Sequence, residues 1–283
     1  MCCLSDSAPQ RDVSLTLDAA LFFFRIPMQR KLGCRPAERR AGQPRLSGLR
    51  MMARKAPARL VRDHVDPAPL LLGNDRVGDC TSVGLANHIR ATAALAGFQV
   101  AVTEQDALRF YSLSTGYDPS RPVTDQGGME VDVLACAGRT GYGLATQTFY
   151  PLWGTAEEGD FNTLRLIVAG LGAAYVGVQL ALADQAPGVW DTLTPGDQRP
   201  GSWGGHCVLV WDYAGTADDE LVTLLTWGTR QKCTWRWLRS RLMEVHGVLW
   251  PQLMLPGGLY PTGDDLEKLR AENAAFLGAV LSC

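Results

Sequence analysis

The sequence predicts an α+β fold in which a mainly helical half precedes a β-rich half. Three observations carry that expectation. Residues 80–140 hold apolar side chains at helical spacing in three segments, whereas residues 174–255 hold short runs rich in Val, Leu, Tyr and Trp bounded by Gly and Pro. Helices and strands are therefore segregated, which argues against a parallel βαβ repeat. Finally, 283 residues with 46% hydrophobic and 20% charged content suffice for a full core, as one large domain or two lobes. The expected boundaries are a basic arm at 1–60, a domain at 61–255 divided into a helical lobe (61–160) and a β-rich lobe (161–255), and a C-terminal helix within 256–283.

Residues 1–62 hold 13 basic and 4 acidic side chains, and the remainder 14 basic and 25 acidic, so a net charge of −2 hides a strong asymmetry. The arm lacks sustained periodicity and reads as disordered. Its arginines are not interleaved with stacking aromatics, which argues against nucleic-acid contact. The apolar run Leu17–Phe24 is too short to span a bilayer and no positively charged region precedes it. A cytoplasmic protein without a membrane partner is expected.

The turn-rich stretch Gly73–Asp79 delivers Cys80 to the start of a helix with Val83, Ala86 and Ile89 on one stripe and Gly97 as its stop. Thr103 and Asp106 form a capping-box pattern opening a second helix, Glu104–Ser112. Gly128–Gly138 reads as a third, and Tyr142–Phe149 as a first strand. A helix over Asn162–Leu171 precedes strands at Ala174–Leu180, Gly204–Tyr213 and Leu221–Trp227. Thr234 caps a short helix, Val248–Leu255 returns as a strand, and Asp264 and Asp265 open the terminal helix.

The eight cysteines are scattered, with no Cys-x-x-Cys pair, so neither a zinc site nor a disulfide framework is indicated. Cys80 stands apart because the unpaired N–H groups and positive dipole end of a helix start favour a thiolate. An ordinary buried cysteine is the competing reading. Nucleophilic use of the thiol needs an imidazole within proton-transfer reach. His88 lies two turns along the same helix, about 12 Å away. His64 sits in a Pro-rich lead-in, and His246 in a helix-to-strand connection without polar company. His206, at the glycine-flanked entrance of a strand, is the candidate base.

These residues resemble the papain-like cysteine peptidases, over about residues 70–255. The Cys-then-His order and their separation of 126 residues match the family's roughly 130–150. Gly78-Asp79-Cys80, Gly204-Gly205-His206-Cys207-Val208 and Leu225-Thr226-Trp227-Gly228-Thr229 are similar to its nucleophile, histidine and Asn-Ser-Trp-Gly motifs, in the form of a divergent group from bacteria and their phages. The resemblance implies a papain-like two-lobe fold with a barrel-like second lobe, and a hydrolase acting on a peptide or protein substrate without metal or organic cofactor. It also implies Cys80 and His206 as the catalytic thiolate-imidazolium pair, Asn74 as oxyanion-hole donor, and Trp227 as shield of the imidazole. Leu225 stands where the family has the asparagine that orients the histidine. Thr226 and Asp212 are the candidate substitutes. That departure keeps a second reading open, a catalytically silent papain-like fold serving as a binding or phage structural component. A peptidoglycan-cleaving peptidase of the NlpC/P60 type is disfavoured by the long Cys-to-His spacing.

Overall fold

The computed structural model describes residues 30–253 and 261–279. Helices α1 (Cys80–Leu95), α2 (Glu104–Thr115) and α3 (Glu130–Thr140) come first, then a small hairpin of β1 (Tyr142–Gly143) and β2 (Thr148–Phe149). There follow β3 (Leu152–Thr155), α4 (Phe161–Leu171), β4 (Ala174–Leu180), β5 (Gly204–Tyr213), β6 (Leu221–Thr226), β7 (Thr229–Thr234), α5 (Trp235–Arg241), β8 (Leu242–Leu249) and α6 (Asp264–Ala279). The fold is α+β, as expected. Local chemistry explains most boundaries: Thr103 and Asp106 close a reciprocal capping box at α2, and Asp160 and Thr234 accept the Thr163 and Trp237 amides at the starts of α4 and α5.

Six strands form one antiparallel sheet in the order β3-β8-β4-β5-β6-β7. Its central strands are buried on both faces, so their side chains divide by the two-residue period between two cores. Tyr175, Cys207, Leu209 and Trp211 pack toward α1, α2 and α3. Ala174, Val176, Val178, Val208 and Val210 pack with apolar residues of α4 and α5. Gly84 sets the depth of the first contact: a Cβ there would come within 2.9 Å of Cys207 Sγ and the Tyr175 ring, so only glycine lets α1 lie this close to β4 and β5. Helix α6 docks on β3, where the Asn273 amide donates to the Trp153 carbonyl at 2.8 Å and Phe276 meets the Trp153 ring edge-on.

Three expectations need correction, and one strand has no counterpart among them. Tyr142–Phe149 is a hairpin of two two-residue strands closed by Leu144 N–H to the Gln147 carbonyl, not a single strand. The last strand starts at Leu242 rather than Val248, its onset masked in sequence by the polar Glu244 and His246. Strand β7, Thr-Arg-Gln-Lys-Cys-Thr, carries little apolar signal because it is the sheet's edge and turns polar residues to solvent. Residues 30–60 are not a disordered arm: Leu46, Leu49, Met51 and Met52 are buried in the core beside α4, the Leu46 N–H donates to the Thr155 carbonyl, and Leu60 exchanges two backbone hydrogen bonds with Tyr213. These apolar residues fill single positions without repeating at a period, so no pattern announces them. Residues 1–29, including the run Leu17–Phe24, lie outside the described residues. Among the described residues, no helix is long and apolar enough to cross a membrane.

The same N-terminal segment contributes a buried cation. Arg62 donates to the carbonyls of Val168 at 2.6 Å, Trp211 at 2.8 Å and Gly172, and its guanidinium lies 4.7 Å from the centre of the Trp211 ring. Two of those carbonyls end α4, so the side chain serves as its C-terminal cap. Burial pushes the guanidinium down to about 10, with Asp212 opposing, and it stays charged at neutral pH. Arg62→Met is expected to cost about 3–5 kcal/mol by leaving buried carbonyls without donors. Urea unfolding of the two proteins measures it.

Candidate active site

Cys80 is the first residue of α1 and is 1% exposed. The loop before it is fixed by Asp125, whose carboxylate accepts the Gly78 N–H at 3.1 Å and the Tyr111 hydroxyl at 2.8 Å. The Cys80 sulfur lies beside the backbone of Cys207 and of Gly33, whose N–H groups favour its thiolate. The first contact sets the thiol against β5 at the residue that follows His206.

His206, also 1% exposed, is held on two sides. Its Nε2 lies 2.6 Å from Thr226 Oγ1, and its ring stacks on Trp227 with centroids 3.9 Å apart and planes 11° from parallel. Nδ1 has no hydrogen-bond partner, so it is the nitrogen left for a thiol. Thr226 takes the place in this contact that Leu225 cannot fill. Leu225 points into the core on the α1 side, and Asp212, the other candidate, accepts from Thr223 and Arg62 instead.

The stacking follows from the β6–β7 hairpin. Thr226 pairs with Thr229, so Trp227 and Gly228 form a two-residue turn with φ of 42° and 69°. Positive φ at both turn residues matches the twist of the flanking strands, at a steric cost for a residue as bulky as Trp. Trp203 and Trp190 pack around the indole, and its N–H donates to the Lys31 carbonyl at 3.3 Å. Strain at this turn is thus offset by packing, and the turn sets the plane of the imidazole.

Asn74 sits in the loop before the nucleophile, buried. One of its amide hydrogens goes to the Val77 carbonyl at 3.1 Å, which leaves one for another acceptor. Asp79, the residue before Cys80, is buried without a hydrogen-bond partner. Burial pushes its carboxyl well above the usual range, with the neighbouring Asn74 amide opposing.

A segment absent from the sequence-based site crosses it. Residues 31–35 run over Cys80 as an extended strap: Lys31 N–H bonds the Asn74 carbonyl, Cys34 N–H bonds Gly205, Arg35 N–H bonds Gly128, and Gly128 N–H returns to Gly33. The fit is tight, since a Cβ on Gly33 would overlap the Gly78 carbonyl oxygen and one on Gly205 would overlap that of Cys34. At the strap's start, the Arg30 guanidinium lies 4.9 Å from the centre of the Trp227 ring. Gly33 in a basic, aperiodic stretch gives no motif from which such a strap is legible.

Covering changes the electrostatics. Burial pushes the Cys80 thiol up, and the two backbone N–H donors do not offset it. Burial and the nearby Arg30 charge push His206 down to about 3. The helix start favours a thiolate, but desolvation dominates while the strap is in place, so thiol and imidazole are both neutral. The other histidines serve elsewhere. His88 is buried between the Ala173 carbonyl and the Trp250 indole N–H, and burial pushes it down to about 4. His246, expected to lack polar company, lies in β8 with Glu244 3.0 Å from Nε2 and Thr155 3.0 Å from Nδ1.

No family model matches the sequence, and no curated protein does. Solved structures do. Xylellain, a cysteine protease from Xylella fastidiosa, is 13% identical with a TM-score of 0.56, covering 79% of this chain and 97% of its own. Digestive procathepsin L 3 of the Tenebrio molitor larval midgut is 14% identical with a TM-score of 0.53, covering 79% of this chain and 77% of its own. Procathepsin B S9 from Trypanosoma congolense is 10% identical with a TM-score of 0.51, covering 79% and 88%. With its antiparallel sheet, the three helices ahead of it and these neighbours, the chain has the papain-like fold.

Proposed function

We propose that the protein is a papain-like cysteine hydrolase, cleaving a peptide or other amide bond of a peptide or protein substrate, and that residues 31–35 hold it latent. The observation that carries this reading is the hold on His206. Thr226 occupies Nε2, Trp227 covers the ring face, and Nδ1 is left without a partner, one residue before Cys207, whose backbone lies beside the Cys80 sulfur.

With the strap displaced, water and the α1 dipole lower the thiol and the loss of Arg30 raises the imidazole, so a thiolate-imidazolium pair becomes favourable. The Cys80 sulfur then attacks the carbonyl carbon. The oxyanion is met by the Cys80 N–H and the remaining Asn74 amide hydrogen, and His206 passes its proton to the leaving amine. Water, deprotonated by His206, hydrolyses the acyl-enzyme and regenerates the thiol. Trp227 keeps solvent from the contact between His206 and Thr226.

The test is the pH dependence of iodoacetamide alkylation at Cys80, read by peptide mapping in Gly33→Ala protein with and without His206→Ala. Fast reaction well below pH 7 that disappears without His206 is expected. Titration like a free thiol near pH 8.5 in both proteins overturns the proposal. That result would favour the second reading, a silent papain-like fold used as a binding or structural component, for which Leu225 in the family's asparagine position speaks. Thr226→Val removes the hydroxyl that orients Nε2 and keeps the side-chain shape. It is expected to lower kcat about tenfold to a hundredfold with KM little changed, less than the about 10²–10⁴ attributed to a base itself. Steady-state kinetics on a cleaved peptide measure it.

A further inference from the structure

Behind the nucleophile, three chemistry-bearing side chains that the proposed reaction does not use converge between α3 and β8. Glu130 is the first residue of α3, and Glu244 and His246 share one face of β8. All three side chains are more than nine-tenths buried. His246 Nε2 lies 3.0 Å from Glu244 Oε2 and 3.5 Å from Glu130 Oε2, and the three donor atoms lie within 4.8 Å of one another. Glu130 Oε2 and Glu244 Oε1 have no hydrogen-bond partner.

We propose that Glu130, Glu244 and His246 form a binding site for one divalent cation of the zinc class. Unsatisfied polar atoms are the first argument. Two acidic side chains converge in a buried cluster where Glu130 Oε2 and Glu244 Oε1 lack hydrogen-bond partners, and a divalent cation would satisfy and compensate both carboxyl groups. Geometry is the second. Bonds of about 2.0–2.1 Å in a tetrahedron place donors about 3.3–3.4 Å apart, close to both distances from Nε2. The third is the hold on the ligands. Thr155 Oγ1, itself bonded by the Gln43 amide, contacts Nδ1 of His246 at 3.0 Å and turns Nε2 toward the carboxylates. The other oxygen of Glu130, Oε1, is further held by the Cys34 thiol at 3.9 Å. Such outer partners fix ligand direction in metal sites. A mixed carboxylate and imidazole set suits zinc rather than calcium or magnesium, which prefer oxygen alone. A cavity of about 400 Å³ lined by Thr155, Glu157, Glu244 and Val245 reaches this cluster and offers the entry path.

The bound ion would tie the start of α3 to β8 and, through Thr155, to β3. The full chain, stripped with chelator, is titrated with Zn²⁺ by calorimetry and thermal unfolding, as wild type and as Cys80→Ala so that the nucleophile is not the ligand. One equivalent is expected in both proteins, with Tm raised by about 5–10 °C at about a hundredfold excess over Kd. Both effects are expected to vanish in Glu244→Gln and His246→Gln, and Co²⁺ should show tetrahedral visible absorption that the same variants lose. Should His246→Gln fail to fold, Glu244→Gln decides. Absence of stoichiometric binding, binding that survives Glu244→Gln, or binding lost in Cys80→Ala would each overturn the site, and none of these results depends on whether the protein cleaves a peptide.

Discussion

Gly33→Ala is expected to raise the alkylation rate of Cys80 at neutral pH by tenfold or more, on the order of the 1.4 kcal/mol per decade that even a partial opening supplies. The added methyl has nowhere to go, since the Gly78 carbonyl oxygen occupies its place, and that oxygen belongs to the loop that aims the nucleophile. The clash is expected to push the strap off that loop. Lifting it exposes Cys80, removes the Gly33 N–H from its sulfur and takes Arg30 away from His206. Acid should act in the same direction. The covered state holds His206 at about 3, below its ordinary value near 6.5. The covered state is therefore at full stability above about pH 6.5 and loses it progressively as pH falls toward 3, because only the uncovered imidazole takes up a proton there. Alkylation of wild-type Cys80, corrected for thiolate fraction, should accelerate across that window and not above it. A flat profile, with Gly33→Ala indistinguishable from wild type, would mean that the strap does not gate the thiol.

Cys80→Ala, placed in the Gly33→Ala protein, is expected to abolish peptide cleavage, by about 10⁴-fold or more, because the step that forms the acyl-enzyme has no other nucleophile. Its Tm should stay within a few degrees of the parent. The sulfur is buried but small, and its loss removes two weak acceptor contacts without opening a large cavity. A panel of unstructured peptide substrates followed by mass spectrometry reads the first quantity, and thermal unfolding the second. Cleavage that persists in Cys80→Ala would place the chemistry elsewhere or in a contaminant.

The parts of this site that are legible from sequence are those encoded locally. Cys80 is announced by a turn running into a helix and His206 by the glycines before its strand, while Trp227 is marked by the Thr-Trp-Gly motif at the end of a strand. Each is a short-range pattern with a backbone cause. What sequence does not show depends on tertiary placement. Thr226 and Asp212 are equally plausible partners for His206 until β5 and β6 are in register, with the bulge between Val210 and Asp212 included. His246 reads as isolated because Thr155 and Glu130 arrive from distant elements. Strand β7 hides behind an edge strand's polarity. The strap is hidden most deeply, since an extended segment pairing with irregular backbone at Asn74, Gly128 and Gly205 needs no periodicity of its own.

The strap also bears on the order of folding. Its partners Asn74, Gly128 and Gly205 are strung along much of the chain, so its hydrogen bonds close long loops, up to that between Cys34 and Gly205. During synthesis this segment leaves the ribosome before all three partners, and its docking is complete only once β5 has joined the sheet. The strap is thus expected to close over Cys80 late in folding, and pulse labelling should find the amides of Cys34 and Arg35 among the last to gain protection.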